Sequence, residues 1–198
     1  MCQKRNNVLL LFCSDFKRKF HLREISRLSK IPLKTTSRVM EGLEEKNIIR
    51  HHFEGKHKYF ELNLDNIETK FYLIEAEISK MLLFLEKYSV FKSFLKDMGL
   101  IDGTVVVFGS FSQLIVTKDS DLDILTVSDK KIDLPKHLLP YKINIINLSK
   151  KEFLSGLNRE EPLMREILAN HTILHNHSSF VDDIWWYYGK KRLSGVLK

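Results

Sequence analysis

The run Thr104–Val127, TVVVFGSFSQLIVTKDSDLDILTV, decides how this 198-residue chain is read. Thr104–Phe108 is apolar and β-branched, the composition of a strand buried on both faces. Gly109 and Ser110 follow where that strand must turn, and residues 109–120 make a polar connection with a short helix. Leu122–Val127 is a second strand. Asp121, directly before it, and Asp123 stand two apart in extended chain, so both carboxylates leave one face. At a strand-to-helix turn, backbone N–H groups of Gly109 and Ser110 can point at an anion, and the Ser110 hydroxyl adds a donor. Two carboxylates facing such a cradle make a hard oxygen site suited to Mg²⁺, which takes a few carboxylates, water and phosphate oxygens. Metal-bridged phosphoryl or nucleotidyl transfer needs that arrangement.

Downstream, Tyr141–Leu148 (YKINIINL) is a third strand. Helical patterns follow at Lys150–Leu157 and Pro162–Ala169, then a short strand at Thr172–Leu174. A last helix carries Phe180, Ile184, Trp185 and Tyr188. Strands interleaved with helices predict an α/β or α+β domain of about 100 residues. Upstream, residues 64–98 lack proline and glycine and read as helix almost throughout. Ile67, Phe71, Ile74, Ile78, Met81, Leu85 and Tyr88 recur in an a/d heptad register. That seam either pairs two chains as a coiled coil or packs on the chain's own domains. Gly99 and the Asp102-Gly103 turn end it.

The first third is basic. Residues 1–65 hold 14 basic and 8 acidic side chains, a surplus of +6 out of the +7 carried by the whole chain. Val8–Phe12 reads as the buried part of a first helix. Phe20, Leu22, Ile25, Leu28 and Ile31 fall near helical spacing in a second, which Pro32 interrupts. Thr36, Val39, Met40 and Leu43 then stand at i, i+3, i+4 and i+7 of a third, amphipathic helix. Lys34, Thr35, Ser37 and Arg38 lie off that stripe. IIRHHF and KHKYFELNL are β-prone runs split by Glu54-Gly55, a hairpin signal.

Two resemblances follow from these residues. HLREISRLSKIPLKTTSRVMEGLEEKNIIRHHFEGKHKYFELN resembles the winged helix-turn-helix of bacterial and archaeal transcription regulators. The resemblance implies a recognition helix in the major groove, with Lys34, Thr35, Ser37 and Arg38 facing duplex DNA and Lys56 and Lys58 in the wing on its backbone. Arg38 would fork onto a guanine edge and Lys34 would contact phosphate. The other reading of such a module is protein contact alone.

Gly109, Ser110, Ser120, Asp121 and Asp123 resemble the signature of the minimal nucleotidyltransferases of the DNA polymerase β superfamily: Gly-Ser, a spacer, then Ser-Asp-x-Asp among apolar residues. PLMREILANHTILH, residues 162–175, looks like the closing helix and strand of those domains. The resemblance implies an NTP on Gly109, Ser110 and Ser120, with Asp121 and Asp123 as metal ligands and catalytic residues. Two positions depart from the family pattern. Leu114 stands where a glycine is frequent. Asn144 stands where a third carboxylate is expected on the neighbouring strand, and an amide cannot accept a proton from an attacking hydroxyl. Asp133 is the nearest acidic substitute, in a loop-like DLP segment.

The expected fold is α+β in two domains: a winged helix-turn-helix over 1–65, a helical connector over 66–98, and a small mixed-sheet nucleotidyltransferase-like domain over 99–198. The function expected is NMP transfer from an NTP with Mg²⁺, attached to DNA binding. The alternatives are a regulator that senses nucleotide without turnover and an antitoxin-type partner of a toxin-like protein. A homodimer is expected. Cys2 and Cys13 are too few for a disulfide scaffold or a zinc site. No apolar run approaches the ~20 residues of a membrane span, and no leader pattern opens the chain, so a cytoplasmic protein without a membrane partner is expected. His171, His175 and His177 read as partly buried histidines, with a metal site the less favoured reading. Cys13 reads as a core residue, and the adjacent Trp185, Trp186, Tyr187 and Tyr188 cannot all share one helix face.

Overall fold

The computed structural model describes residues 2–117 and 120–193. Two residues of the 109–120 connection and the last five of the expected 99–198 domain lie outside the described residues. The chain divides into two compact units, one reaching Ser79 and taking in the residues from Ile184 onward, the other Lys80–Asp183. Those divisions differ from the boundaries expected at 65 and 98.

In the first unit, α1 (Cys2–Cys13), β1 (Phe20–His21), α2 (Leu22–Ser29) and α3 (Leu33–Glu45) precede the hairpin β2 (Ile49–Glu54) and β3 (His57–Leu62). The sheet order is β1-β3-β2, all antiparallel. Glu54 pairs with His57, and Gly55 turns the chain at φ 60°, a left-handed value that glycine adopts without cost. The buried side of α3 is Thr36, Val39, Met40 and Leu43, the stripe read from the sequence. Phe20 does not extend α2. It pairs with Phe60 across β1 and β3 and meets Phe12 edge to face at 4.9 Å.

The stretch expected as one helix is two, α4 (Ile67–Lys87) and α5 (Val90–Met98), with a break at Tyr88 and Ser89. The rings of Phe84 and Phe91 meet with centroids 4.8 Å apart. In a straight helix two residues seven apart are about 10 Å apart along the axis; the break lets the two rings meet. The α4 seam also divides. Met81, Leu85 and Tyr88 pack on the core of the second unit, whereas Ile67 and Phe71 are 55% and 58% exposed. What α4 buries instead in its first half is Thr69, Leu73, Ala76 and Glu77.

The second unit is built on β4 (Thr104–Phe108), α6 (Gly109–Ser112), β5 (Leu122–Val127), β6 (Ile143–Leu148), α7 (Lys150–Arg159), α8 (Pro162–Ala169) and β7 (His171–His175). The last helix, α9 (His177–Leu193), begins in this unit and ends in the other. The sheet order is β6-β5-β4-β7, with β5 and β6 parallel and the other pairs antiparallel. Every residue of β4 is buried, as its composition predicts for an inner strand. Ser149 and Glu152 close a reciprocal capping box at the start of α7, which satisfies two backbone donors. On α9 Trp185, Tyr187 and Tyr188 are buried and Trp186 is 64% exposed. No helix among the described residues is long and apolar enough to cross a membrane.

Candidate functional site

Sheet register assembles the site at one end of β4, β5 and β6. Phe108, the last residue of β4, pairs with Asp123, and Asp123 pairs with Asn144 on β6. Asp121 lies two residues before Asp123 and on the same face. The chain then turns at Gly109, whose φ of 67° is left-handed. A Cβ built on Gly109 would stand 3.0 Å from Oδ2 of Asp123, so conformation and close approach both favour glycine here. Phe111 fixes the turn from below, fully buried between Tyr88 and Tyr141 at centroid distances of 5.5 and 4.7 Å. Tyr141 also begins the approach to β6, so one aromatic cluster holds both walls of the site.

Substituting Gly109→Ala should cost about 1–2 kcal/mol through the left-handed backbone alone, and it displaces Asp123. Thermal melting reads the first effect, and nucleotide titration with a divalent ion reads the second. A variant indistinguishable from the parent in both contradicts this geometry.

The helix after the turn is a single turn of four residues, too short for an appreciable macrodipole. The groups that could meet an anion are the first backbone N–H groups, which have no partner within the turn, and the half-buried Ser110. Leu114 adopts φ 61°, the conformation the glycine frequent at this position supplies freely. Leucine bears about 1–2 kcal/mol of strain for it. Its carbonyl accepts from Lys87 Nζ at 2.6 Å. Ser120 is turned back on the loop: its hydroxyl accepts from the Thr117 N–H at 3.0 Å and lies 3.0 Å from the Thr117 hydroxyl.

Asn144 Nδ2 donates to Asp121 Oδ2 at 3.3 Å and to Asp123 Oδ1 at 3.1 Å. Lys142 Nζ donates to Asp121 Oδ2 at 2.7 Å. The Lys142 ammonium, helped by the Asn144 amide, holds the Asp121 carboxyl below the usual carboxylate range, and Asp121 in turn raises Lys142. Asp121 therefore stays ionised to lower pH than a free aspartate. Lys142 escaped the sequence reading because an exposed lysine carries no signal alone. Strand parity would have found it, since a residue two before Asn144 on the same strand shares its face. Asp133 is exposed and lines a groove with Asp97, Lys136 and His137, with no hydrogen bond to either aspartate.

Nucleotidyltransferase domains generally use divalent metals, and the donor set here can be tested for one. Asp121 and Asp123 offer carboxylate oxygens from one face. Among the described residues no group of three or more His, Cys, Asp or Glu could hold a metal ion. A two-carboxylate set suits an ion that keeps water and takes phosphate oxygens, the habit of Mg²⁺, and not an all-protein cage. Of the three histidines, buried His171 has Nδ1 3.0 Å from the Ile167 and Leu168 carbonyls, and His175 Nε2 lies 3.3 Å from the Ile101 carbonyl.

On α3, Lys34 and Arg38 are exposed one turn apart, and Thr35 and Ser37 are half-buried. Ser37 donates to Glu41 Oε1 at 2.7 Å. Lys56 is exposed in the hairpin turn, whereas Lys58 pairs with Glu44 at 3.1 Å and lies over the Phe60 ring at 4.7 Å.

Residues 89–182, a little under half of the chain, match the family model of the nucleotidyltransferase domain. The match spans β4 to β7 and includes Gly109, Ser110, Asp121, Asp123 and Asn144. No curated protein and no solved structure matches the chain.

Proposed function

We propose that residues 89–182 bind a nucleoside triphosphate with Mg²⁺ and transfer its NMP to an acceptor, and that residues 1–65 bind duplex DNA. The observation that carries the first part is the left-handed Gly109 seated against the Asp123 carboxylate. It holds the Gly-Ser turn and the two aspartates within one ligand's reach. Gly109 and Ser110 contact the phosphates, and Asp121 and Asp123 would hold the ion. The ion, when bound, supplies the positive charge that lets two carboxylates and a triphosphate share a site. The acceptor's oxygen bonds to the α-phosphorus as pyrophosphate leaves. Asn144 cannot take the acceptor's proton, which passes to solvent.

A second reading, a regulator that senses nucleotide without turnover, is favoured by that same amide and by Lys142 on Asp121. One experiment separates the readings: α-labelled NTP with the full chain, scored for binding and for label transferred to protein, RNA or a toxin-like partner. Asp121→Asn with Asp123→Asn should remove Mg²⁺-dependent binding and any transfer together. Binding without transfer in the parent supports the sensor. Binding that survives the double substitution overturns both.

The exposed start of the α4 seam supports a homodimer. Phe71→Glu places a charge on a side chain already 58% exposed, so the fold should tolerate it. Sedimentation at tens of micromolar should give twice the chain mass for the parent and the chain mass for the variant. A monomeric parent would end the dimer proposal.

A further inference from the structure

A cavity of about 190 Å³, unrelated to that site, opens in the first unit beside α3. Its floor is Val39 and Leu43, and Arg5, Arg38 and Lys46 stand around it with Gly42. Two of the three cations are held in place by Tyr72. The Arg5 guanidinium lies 4.8 Å from that ring's centroid and Lys46 Nζ 5.7 Å from it. Lys46 also donates to the Tyr72 hydroxyl at 3.0 Å. Glu75 pairs with Arg5, which leaves an excess of positive charge around the opening. Arg38 is exposed at the rim.

Gly42 is the second observation. It sits inside α3, where only proline is a poorer helix former. No heavy atom lies within 4 Å of the Cβ it lacks, so nothing in the chain requires glycine there. Its effect is to keep the cavity open. Apolar floor, cationic rim and absent side chain together describe a receptor for something apolar at one end and anionic at the other. The volume falls below the roughly 300–1,000 Å³ of pockets that take drug-sized ligands, so the occupant is small.

We propose that this cavity binds a small organic anion, a carboxylate or phosphate monoester on an apolar body the size of a single ring. The apolar body lies on Val39 and Leu43 beside Gly42. The anionic group is gripped by Arg38, whose planar fork suits a carboxylate or phosphate, with Lys46 as a point charge. Because Arg38 also lies on the face proposed to meet DNA, an occupant that draws Arg38 inward antagonises DNA binding. That consequence rests on the DNA reading; the site itself does not.

The test is calorimetry on the full chain with benzoate, phenyl phosphate, benzyl alcohol and benzylammonium. Benzoate or phenyl phosphate should bind one per chain, and the neutral and cationic analogues should not. Gly42→Met should weaken the anion about tenfold or more by filling the space, while Gly42→Ala retains binding. Arg38→Gln and Lys46→Gln should each weaken it too, which keeps the test open if Gly42→Met fails to fold. No anion binding at about 10 mM, equal binding of benzyl alcohol, or affinity indifferent to all these substitutions overturns the site. The regulatory consequence is read separately, by DNA titration of the parent with the anion at saturation. Unchanged affinity for DNA overturns the antagonism, whereas a parent that retains no DNA without the anion present defeats the DNA reading and leaves the calorimetry intact.

Discussion

Replacing Asn144 by Asp should raise NMP transfer by about 10²–10⁴-fold, the range that a positioned general base contributes. Asn144 pairs in register with Asp123, and its amide donates to both Asp121 and Asp123. A carboxylate in that place loses both hydrogen bonds and brings a third negative charge to the site. Lys142 offsets one charge; a divalent ion has to offset the rest. Without the ion, like-charge repulsion raises the new carboxyl's pKa above its unfolded value. The folded state then holds the extra proton in the window between those two values. Stability of the ion-free variant should therefore fall as pH rises through that window, and Mg²⁺ should restore it. Melting curves across pH with and without Mg²⁺ read the electrostatics, and transfer of α-labelled nucleotide reads the chemistry. A variant that binds nucleotide with Mg²⁺ yet transfers no faster than the parent contradicts the role given to this position.

The second large effect is expected on DNA. The positive surplus of residues 1–65 and the exposed Lys34 and Arg38 on α3 make much of the affinity phosphate-driven, so it should fall steeply with salt. Lys34→Ala should weaken binding to all sequences alike and reduce the salt slope by about 1. Arg38→Ala should cost about 1–3 kcal/mol at a preferred site and flatten the preference itself, if the guanidinium reads a base edge. Lys58 should matter less than Lys56, because Glu44 already neutralises it. Anisotropy titrations over a salt series check all three, and retention of no duplex at low salt ends the proposal.

The sequence carried the site further than it carried the connections between elements. Strand alternation and a β-branched run suffice to find β4, β5 and β6, and the spacing of Asp121, Asp123 and Asn144 then follows from parity. The α3 stripe was legible for the same reason: thirteen residues are long enough for a period of 3.6 to show. A two-residue strand such as Phe20–His21 has no period, and Phe20 enters β1 because of Phe60, forty positions away in the chain. The break at Tyr88 and Ser89 likewise accompanies the contact between Phe84 and Phe91, which no local pattern records. The grouping of the end of α9 with the first unit is tertiary in origin as well. Leu114 shows the opposite case, a residue whose propensity disagrees with its left-handed backbone and is overruled by the loop around it.

The most direct test of the account is a calorimetric titration of ATP, GTP, CTP and UTP into the full chain, with and without Mg²⁺. Two aspartates facing a triphosphate repel it, so at least one nucleotide should bind with Mg²⁺ and bind far more weakly in its absence. The same dependence should vanish in Asp121→Asn with Asp123→Asn. No binding of any nucleotide at millimolar concentration with Mg²⁺ present, or binding indifferent to the ion, would contradict both the transfer and the sensing proposals.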